Sequence, residues 1–170
     1  SVKVGATTSL TATVSPSDAT NKNVTWSSSD TSVATVSSGV VSGVKAGSAT
    51  ITVTTADGGF QDTCSVSVSN VEATAVTMSA SSASLIVNGT KQLSVTFTPS
   101  NTTDQTGIWG SSNTTVATVS DTGLVTAKAA GSTTVSFLSN SGNLQADCTV
   151  TVSEAVVLSS ISVSGAATSA

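Results

Sequence analysis

Val24 to Val53 reads VTWSSSDTSVATVSSGVVSGVKAGSATITV, and Gly107 to Phe137 reads GIWGSSNTTVATVSDTGLVTAKAAGSTTVSF. Trp26 aligns with Trp109, and Val33-Ala34-Thr35-Val36 aligns with Val116-Ala117-Thr118-Val119. Gly39 and Gly47 then align with Gly123 and Gly131 after one inserted residue, so the offset moves from 83 to 84. A period this long is a whole small domain, not one turn of a solenoid. The 170 residues are therefore expected to hold two domains. The first spans 1–69 without its opening strand, and 70–74 is a linker. The second spans 75–153, and 154–170 carries a further linker and one more strand.

Alternation within each repeat predicts short half-buried strands. Leu10, Ala12 and Val14 fall on one face of a strand running from Thr8 to Val14, with Ser9, Thr11 and Thr13 on the other. Pro16 ends it, since proline has no N–H to give to a ladder. Val24 with Trp26, Val33 to Val36, then Ala49, Ile51 and Val53, and finally Cys64, Val66 and Val68 continue the pattern. Asp57-Gly58 has the chemistry of a hairpin turn. The second repeat follows the same plan, with Ala75 to Ala80 as its first strand and Leu93, Val95 and Phe97 on its inner face. No segment carries a helical stripe. Short strands with turn signals every 8 to 12 residues read as an all-β protein built of tandem sandwiches.

Only 8% of residues are charged, but 38% are apolar, so a packed core is expected rather than disorder. The net charge of −4, with five lysines and no arginine, argues against nucleic acid, because a run of phosphates would go unneutralised. No apolar run is long enough for a membrane-spanning helix, so no membrane insertion is expected. With no histidine in the chain, a Ser-His-Asp triad has no base. The nine acids are scattered over turns and links rather than paired across a cleft, so neither a glycosidase pair nor a calcium cage is expected. No cofactor or metal is implied.

Asn70 to Thr74 is short and lacks Pro and Gly, so the link is expected to be semi-rigid. The chain opens at Ser1 in mid-pattern, which reads as a piece of something longer. Ser160-Ile161-Ser162-Val163-Ser164 resembles Ala75-Val76-Thr77-Met78-Ser79, the strand that the first repeat lacks. Placed head to tail, Ala170 against Ser1, two copies rebuild a repeat start to within about two residues. Two readings stay open: the start of a third repeat in a longer array, or a donor strand whose Ile161 and Val163 complete a neighbouring copy.

LTATVSP and LSVTFTP, VTWSSS, VATVS, the Gly-Val turn, the AGSATITV strand and the closing CSVSV together resemble the bacterial immunoglobulin-like domain, group 2. The resemblance covers about 150 residues and occurs twice in register. It implies immunoglobulin-like sandwiches of seven strands, used as extracellular building blocks in bacterial adhesins, in appendages of surface enzymes and on tailed-phage virions, with no shared catalytic residues. The second repeat departs from the pattern at Gly107-Ile108-Trp109-Gly110, which is expected to loosen the strand carrying Trp109.

Four residues stand out as core anchors. Trp26 and Trp109 sit beside inner-face positions and resemble the strand tryptophan of immunoglobulin sandwiches. Cys64 and Cys148 fall at equivalent places, one per repeat, so neither domain can close its own disulfide, and both read as small buried apolar residues. Carbohydrate stacking would need a row of exposed aromatics, but the chain has two Trp, three Phe and no Tyr. Asn23, Asn88, Asn101 and Asn113 begin glycosylation sequons.

The functional expectation is a non-catalytic structural or adhesive module, extracellular on a bacterial surface or virion. Its partners would be further copies or neighbouring repeats of the same chain, with weak glycan or host-surface contact. The competing expectation is an accessory or carbohydrate-binding region of a larger secreted enzyme.

Overall fold

The structure is a computed structural model that describes residues 1–157 and 160–162. Among these residues every regular element is a strand. The first repeat contributes β1 (Val2–Lys3), β2 (Thr7–Ser9), β3 (Val24–Ser28), β4 (Ala34–Ser37), β5 (Val40–Gly43), β6 (Gly47–Thr55) and β7 (Gln61–Ser69). The second contributes β8 (Ala75–Met78), β9 (Ser82–Ile86), β10 (Thr90–Gln92), β11 (Val95–Thr98), β12 (Gly107–Ser111), β13 (Ala117–Val119), β14 (Leu124–Ala127), β15 (Gly131–Ser139) and β16 (Gln145–Ser153).

The first repeat forms a four-stranded sheet ordered β1-β7-β6-β3 and a three-stranded sheet ordered β2-β5-β4. Its core is Val2, Ala34, Val41, Ala49, Ile51, Val66 and Val68, with Leu10, Trp26, Val33 and Val36 packed against it from partly exposed positions. These are the alternate residues of the two inner faces, as sandwich packing requires. The second repeat reproduces both sheets as β9-β16-β15-β12 and β10-β14-β13, and adds the pair β8-β11. Its buried apolar residues include Leu93, Val125, Val135, Cys148 and Val150. The matching register extends to the indoles: Trp26 lies opposite Val53, and Trp109 opposite Phe137.

The chain divides into two compact units: Ser1–Ala75 with Phe97–Gln105, and Val76–Thr96 with Thr106 onward. Hydrogen bonds explain why 97–105 groups with the linker. The Val71 N–H donates to Thr103 Oγ1 at 2.9 Å, and the Thr103 N–H donates back to the Val71 carbonyl at 2.9 Å. The Thr74 N–H bonds the Thr98 carbonyl at 2.7 Å.

Both repeats depend on one glycine turn. Gly39 and Gly123 each have φ of +82°, and a Cβ at either would stand 2.5 Å from the carbonyl oxygen of Leu10 or Leu93. The same glycine carbonyls accept the Leu10 and Leu93 N–H groups at 2.8 and 3.0 Å. An L-side chain at this position is strained by its φ and blocked by backbone that cannot rotate away. Gly123→Ala is therefore expected to cost the second unit about 3 kcal/mol, read as a fall in its urea midpoint with the slope unchanged.

One expected element is missing and one expected weakness is not found. The strand predicted from Thr8 to Val14 stops at Ser9. The matching stretch of the second repeat, β11, is a strand because β8 pairs with it, whereas among the described residues no strand pairs with Thr11 to Val14. Alternation alone does not make a strand without a partner to satisfy its backbone. In contrast, β12 is not loosened by its two glycines. It pairs with β15 over five residues, the same length as β3 against β6. Gly107 makes room for Phe137: a Cβ there would lie 2.3 Å from the Phe137 ring, and the first repeat holds the smaller pair Val24 and Val53 at these places.

Candidate interaction site

Among the described residues no strand pairs with the first unit beyond Ser9, and a groove runs along it there. Beyond Ser9 the chain has no regular structure from Leu10 to Val14 and bends at Ser15-Pro16, and among the described residues the backbone of Thr11 to Ser15 makes no hydrogen bond. Beneath it lies a depression of about 420 Å³, with Ala12, Val14, Val24 and Val53 on its walls. It continues into a second hollow of about 220 Å³ lined by Leu10, Trp26, Ile51 and Cys64, the two sharing Thr11, Val53 and Asp62. Phe60 stands at the open end, 75% exposed. The lining mixes these apolar side chains with polar ones, among them Thr11, Asn21, Gln61 and Asp62.

The second unit shows how the same region looks when covered. Leu93, the counterpart of Leu10, is 0% exposed, whereas Leu10 is half-buried. Ala146 and Cys148 are buried, whereas their counterparts Asp62 and Cys64 are exposed. The cover is β8. The Ser79 N–H bonds the Ser94 carbonyl at 2.8 Å, and the Ser94 N–H bonds Ser79 Oγ at 3.0 Å. Thr96 Oγ1 donates to the Thr77 carbonyl at 3.4 Å. Met78 is buried and Val76 half-buried, so two apolar side chains at alternate positions turn inward.

Cys64 is thus not the buried residue that the sequence pattern suggests. Its strand face points into the uncovered groove. Cys148 sits at the equivalent point under cover, and burial pushes its thiol above the ordinary cysteine value. Both thiols are free. In dilute native protein, a maleimide is expected to label Cys64 promptly and Cys148 only through unfolding. The difference should be about a thousandfold or more, read by mass spectrometry of the labelled peptides. Equal rates would contradict the burial difference. Trp26 lines the groove half-buried, and Trp109 is half-buried with its ring 5.1 Å from that of Phe137, edge to face. Ile161 is 94% exposed, and Val163 lies outside the described residues.

The polar turns carry order but bring no groups together for chemistry. Asp30 accepts from the Ser32 hydroxyl at 2.6 Å and the Ser32 N–H at 2.9 Å, and these bonds hold its carboxyl below the usual value. Asn113 occupies the same turn and accepts from the Thr115 hydroxyl and N–H at 2.7 and 3.1 Å. Among the described residues no three His, Cys, Asp or Glu side chains converge as a metal site.

Two stacked-sheet repeats, each ordered around the same buried positions, define a tandem module of the immunoglobulin-like class. The family model for the bacterial Ig-like domain (group 2) matches residues 1–66 and 72–150, and the chain belongs to that family. An Ig-like virion protein of Serratia phage KSP90 is 35% identical over 155 residues, 88% of this chain and 60% of that protein. An alpha-L-arabinofuranosidase of Bifidobacterium longum is 60% identical over 67 residues, 39% of this chain and 6% of the enzyme. Ice-binding protein 1 of Shewanella frigidimarina is 33% identical over 156 residues, 86% of this chain and 17% of that protein. The chain therefore spans between 6% and 60% of the length of these relatives. It is an immunoglobulin-like domain module of the structural or accessory kind.

Proposed function

We propose that the chain is a non-catalytic spacer, fibre segment or decoration displayed outside the cell, on a bacterial surface or a virion. The similarity to the virion protein supports this most directly, because it runs through both repeats and over most of that protein. The tandem pair, rather than one lone domain, is the unit that recurs there. Such a module acts by holding its ends apart. Long hairpins such as β6-β7 and β15-β16 share load over many inter-strand bonds.

A second reading rests on a different observation. The 60% identity to a segment of an arabinofuranosidase sets a close single-domain relative within an enzyme. The chain would then be an accessory region of a larger secreted enzyme, with glycan contact through exposed side chains such as Phe60. Immunogold labelling with antibody against the chain, combined with titration against arabinan and a glycan array, tests both readings. The spacer reading expects label on the outer surface of cells or virions and no saturable glycan binding up to about 1 mM. Saturable binding that disappears in Phe60→Ala favours the accessory reading, and label confined to the cell interior overturns both.

A further inference from the structure

We propose that the open edge of β12 pairs antiparallel with the β12 of a second copy of this chain, joining two second units sheet to sheet about a two-fold axis. This rests on the fold and on neither functional reading. Three observations lead there, and none involves the groove of the first unit.

The first is the edge itself. β12 is the last strand of its sheet, and among the described residues it pairs only with β15. Two bonds flank that ladder, from the Asn140 N–H to the Thr106 carbonyl and from the Ser112 N–H to the Thr134 carbonyl. Antiparallel ladders bond at every second residue, so the bonds to β15 fall on the even-numbered positions. Gly107, Trp109 and Ser111 therefore turn their backbone N–H and C=O groups to the open edge. Nothing guards that edge. β12 reads GIWGS, without lysine or proline, and its register with β15 runs unbroken from Gly107 to Ser111. β15 carries no charge either, so two copies meet without like-charge repulsion.

The second is an apolar pair on the outer face. Ile108 and Leu138 stand opposite each other, 67% and 44% exposed. The first repeat has Thr25 opposite Thr54 at these places, and Thr25 Oγ1 donates to the Thr54 carbonyl at 3.4 Å. Both members of the cross-strand pair differ together, so the second unit sets an apolar spot beside its edge where the first sets hydroxyls. The third is Gly110, where the first repeat has Ser27. Gly107 has a reason within its own sheet, since a Cβ there would meet Phe137. Gly110 has none: a Cβ would meet nothing within 4 Å, and its φ is not in the left-handed region. A strand glycine that its own sheet does not require suits the close approach of another backbone.

A second copy answers all three at once. Antiparallel pairing centred on Trp109 uses the whole of β12. Gly107 then bonds Ser111 of the second copy, Trp109 bonds Trp109, and Ile108 faces Gly110. The Ile108 and Gly110 positions are the non-bonded pairs, where Cα atoms approach to about 4.5 Å. At that spacing a large side chain opposite glycine can lie across the bare backbone, and the two-fold makes this contact twice. The contact is isologous and consumes both edges, so it stops at the dimer. One short edge and two isoleucines make a small interface, which places half-association at about 100 µM.

Sedimentation equilibrium of the 170-residue chain, over a concentration series from about 1 µM to about 1 mM, tests this. The expected result is a monomer–dimer equilibrium that ends at the dimer. Ile108→Thr with Leu138→Thr, which installs the pair of the first repeat, should weaken dimerisation about tenfold or more. Gly110→Thr should abolish it and, in dilute protein, raise the urea midpoint of the second unit, because threonine suits a strand and has room there. For the register, Ile108→Cys and Gly110→Cys chains, both carrying Cys64→Ser, are mixed in a glutathione buffer. The mixed disulfide should form about tenfold faster than either like pair, whose Cα atoms would lie about 7 to 8 Å apart. A monomer at every concentration would overturn the proposal. So would a dimer that either threonine variant leaves intact, growth past the dimer, or like pairs that crosslink as fast as the mixed pair.

Discussion

Leu93→Ala is expected to destabilise the second unit by about 3 kcal/mol, and Leu10→Ala to cost the first unit only about 1 kcal/mol. The two leucines occupy the same place in the repeat and donate the same hydrogen bond, to Gly123 and Gly39 respectively. They differ in cover. Leu93 is fully buried beneath a paired strand, so truncation removes packed methyl groups and leaves a hole that rigid sheets cannot collapse. Leu10 borders an open groove, where water can follow the deletion. Equilibrium urea unfolding resolves the two costs, with Trp109 reporting the second unit in a Trp26→Phe background and Trp26 the first in the reverse background. Equal losses would mean that the groove is filled in solution or that the cover contributes little.

Gly107→Val is expected to be the most damaging single change in the second unit, at about 3 kcal/mol or more. A Cβ at Gly107 would stand 2.3 Å from the Phe137 ring and 2.4 Å from the Leu138 carbonyl oxygen. Phe137 is 3% exposed and its ring meets Trp109, so it has little room to swing aside. Phe137→Val alone should also destabilise, through the cavity it leaves. Together the two substitutions recreate the Val24 and Val53 pair of the first unit. The double variant is therefore expected to be more stable than the sum of the single changes by about 1 to 2 kcal/mol. A coupling near zero in a double-mutant cycle would show that the clash with the backbone, not the ring, sets the cost.

Much of the architecture is legible in the sequence, because it depends on local rules repeated in register. The tryptophans, the VATV strands and the turn glycines fix where strands start and stop, and the alternation in Ala49 to Val53 shows which face is inward. What the sequence hides depends on partners. Leu10 to Val14 alternates as cleanly as any strand in the chain, yet among the described residues Thr11 to Val14 finds no backbone partner and forms no ladder. Cys64 occupies the same place in its repeat as Cys148 and has a different solvent exposure, because the difference lies in a strand elsewhere in the repeat. Gly107 and Phe137 looked like a defect and a routine core residue until the register placed them together, thirty residues apart in the chain.

A strand such as β8, with Val76 and Met78 alternating between small polar residues, is cognate to two edges in one polypeptide: its own β11 and the bare stretch after Ser9. During refolding β8 can therefore pair with either edge, and only one of the two pairings gives the native second half. Tandem repeats are prone to this kind of mispairing.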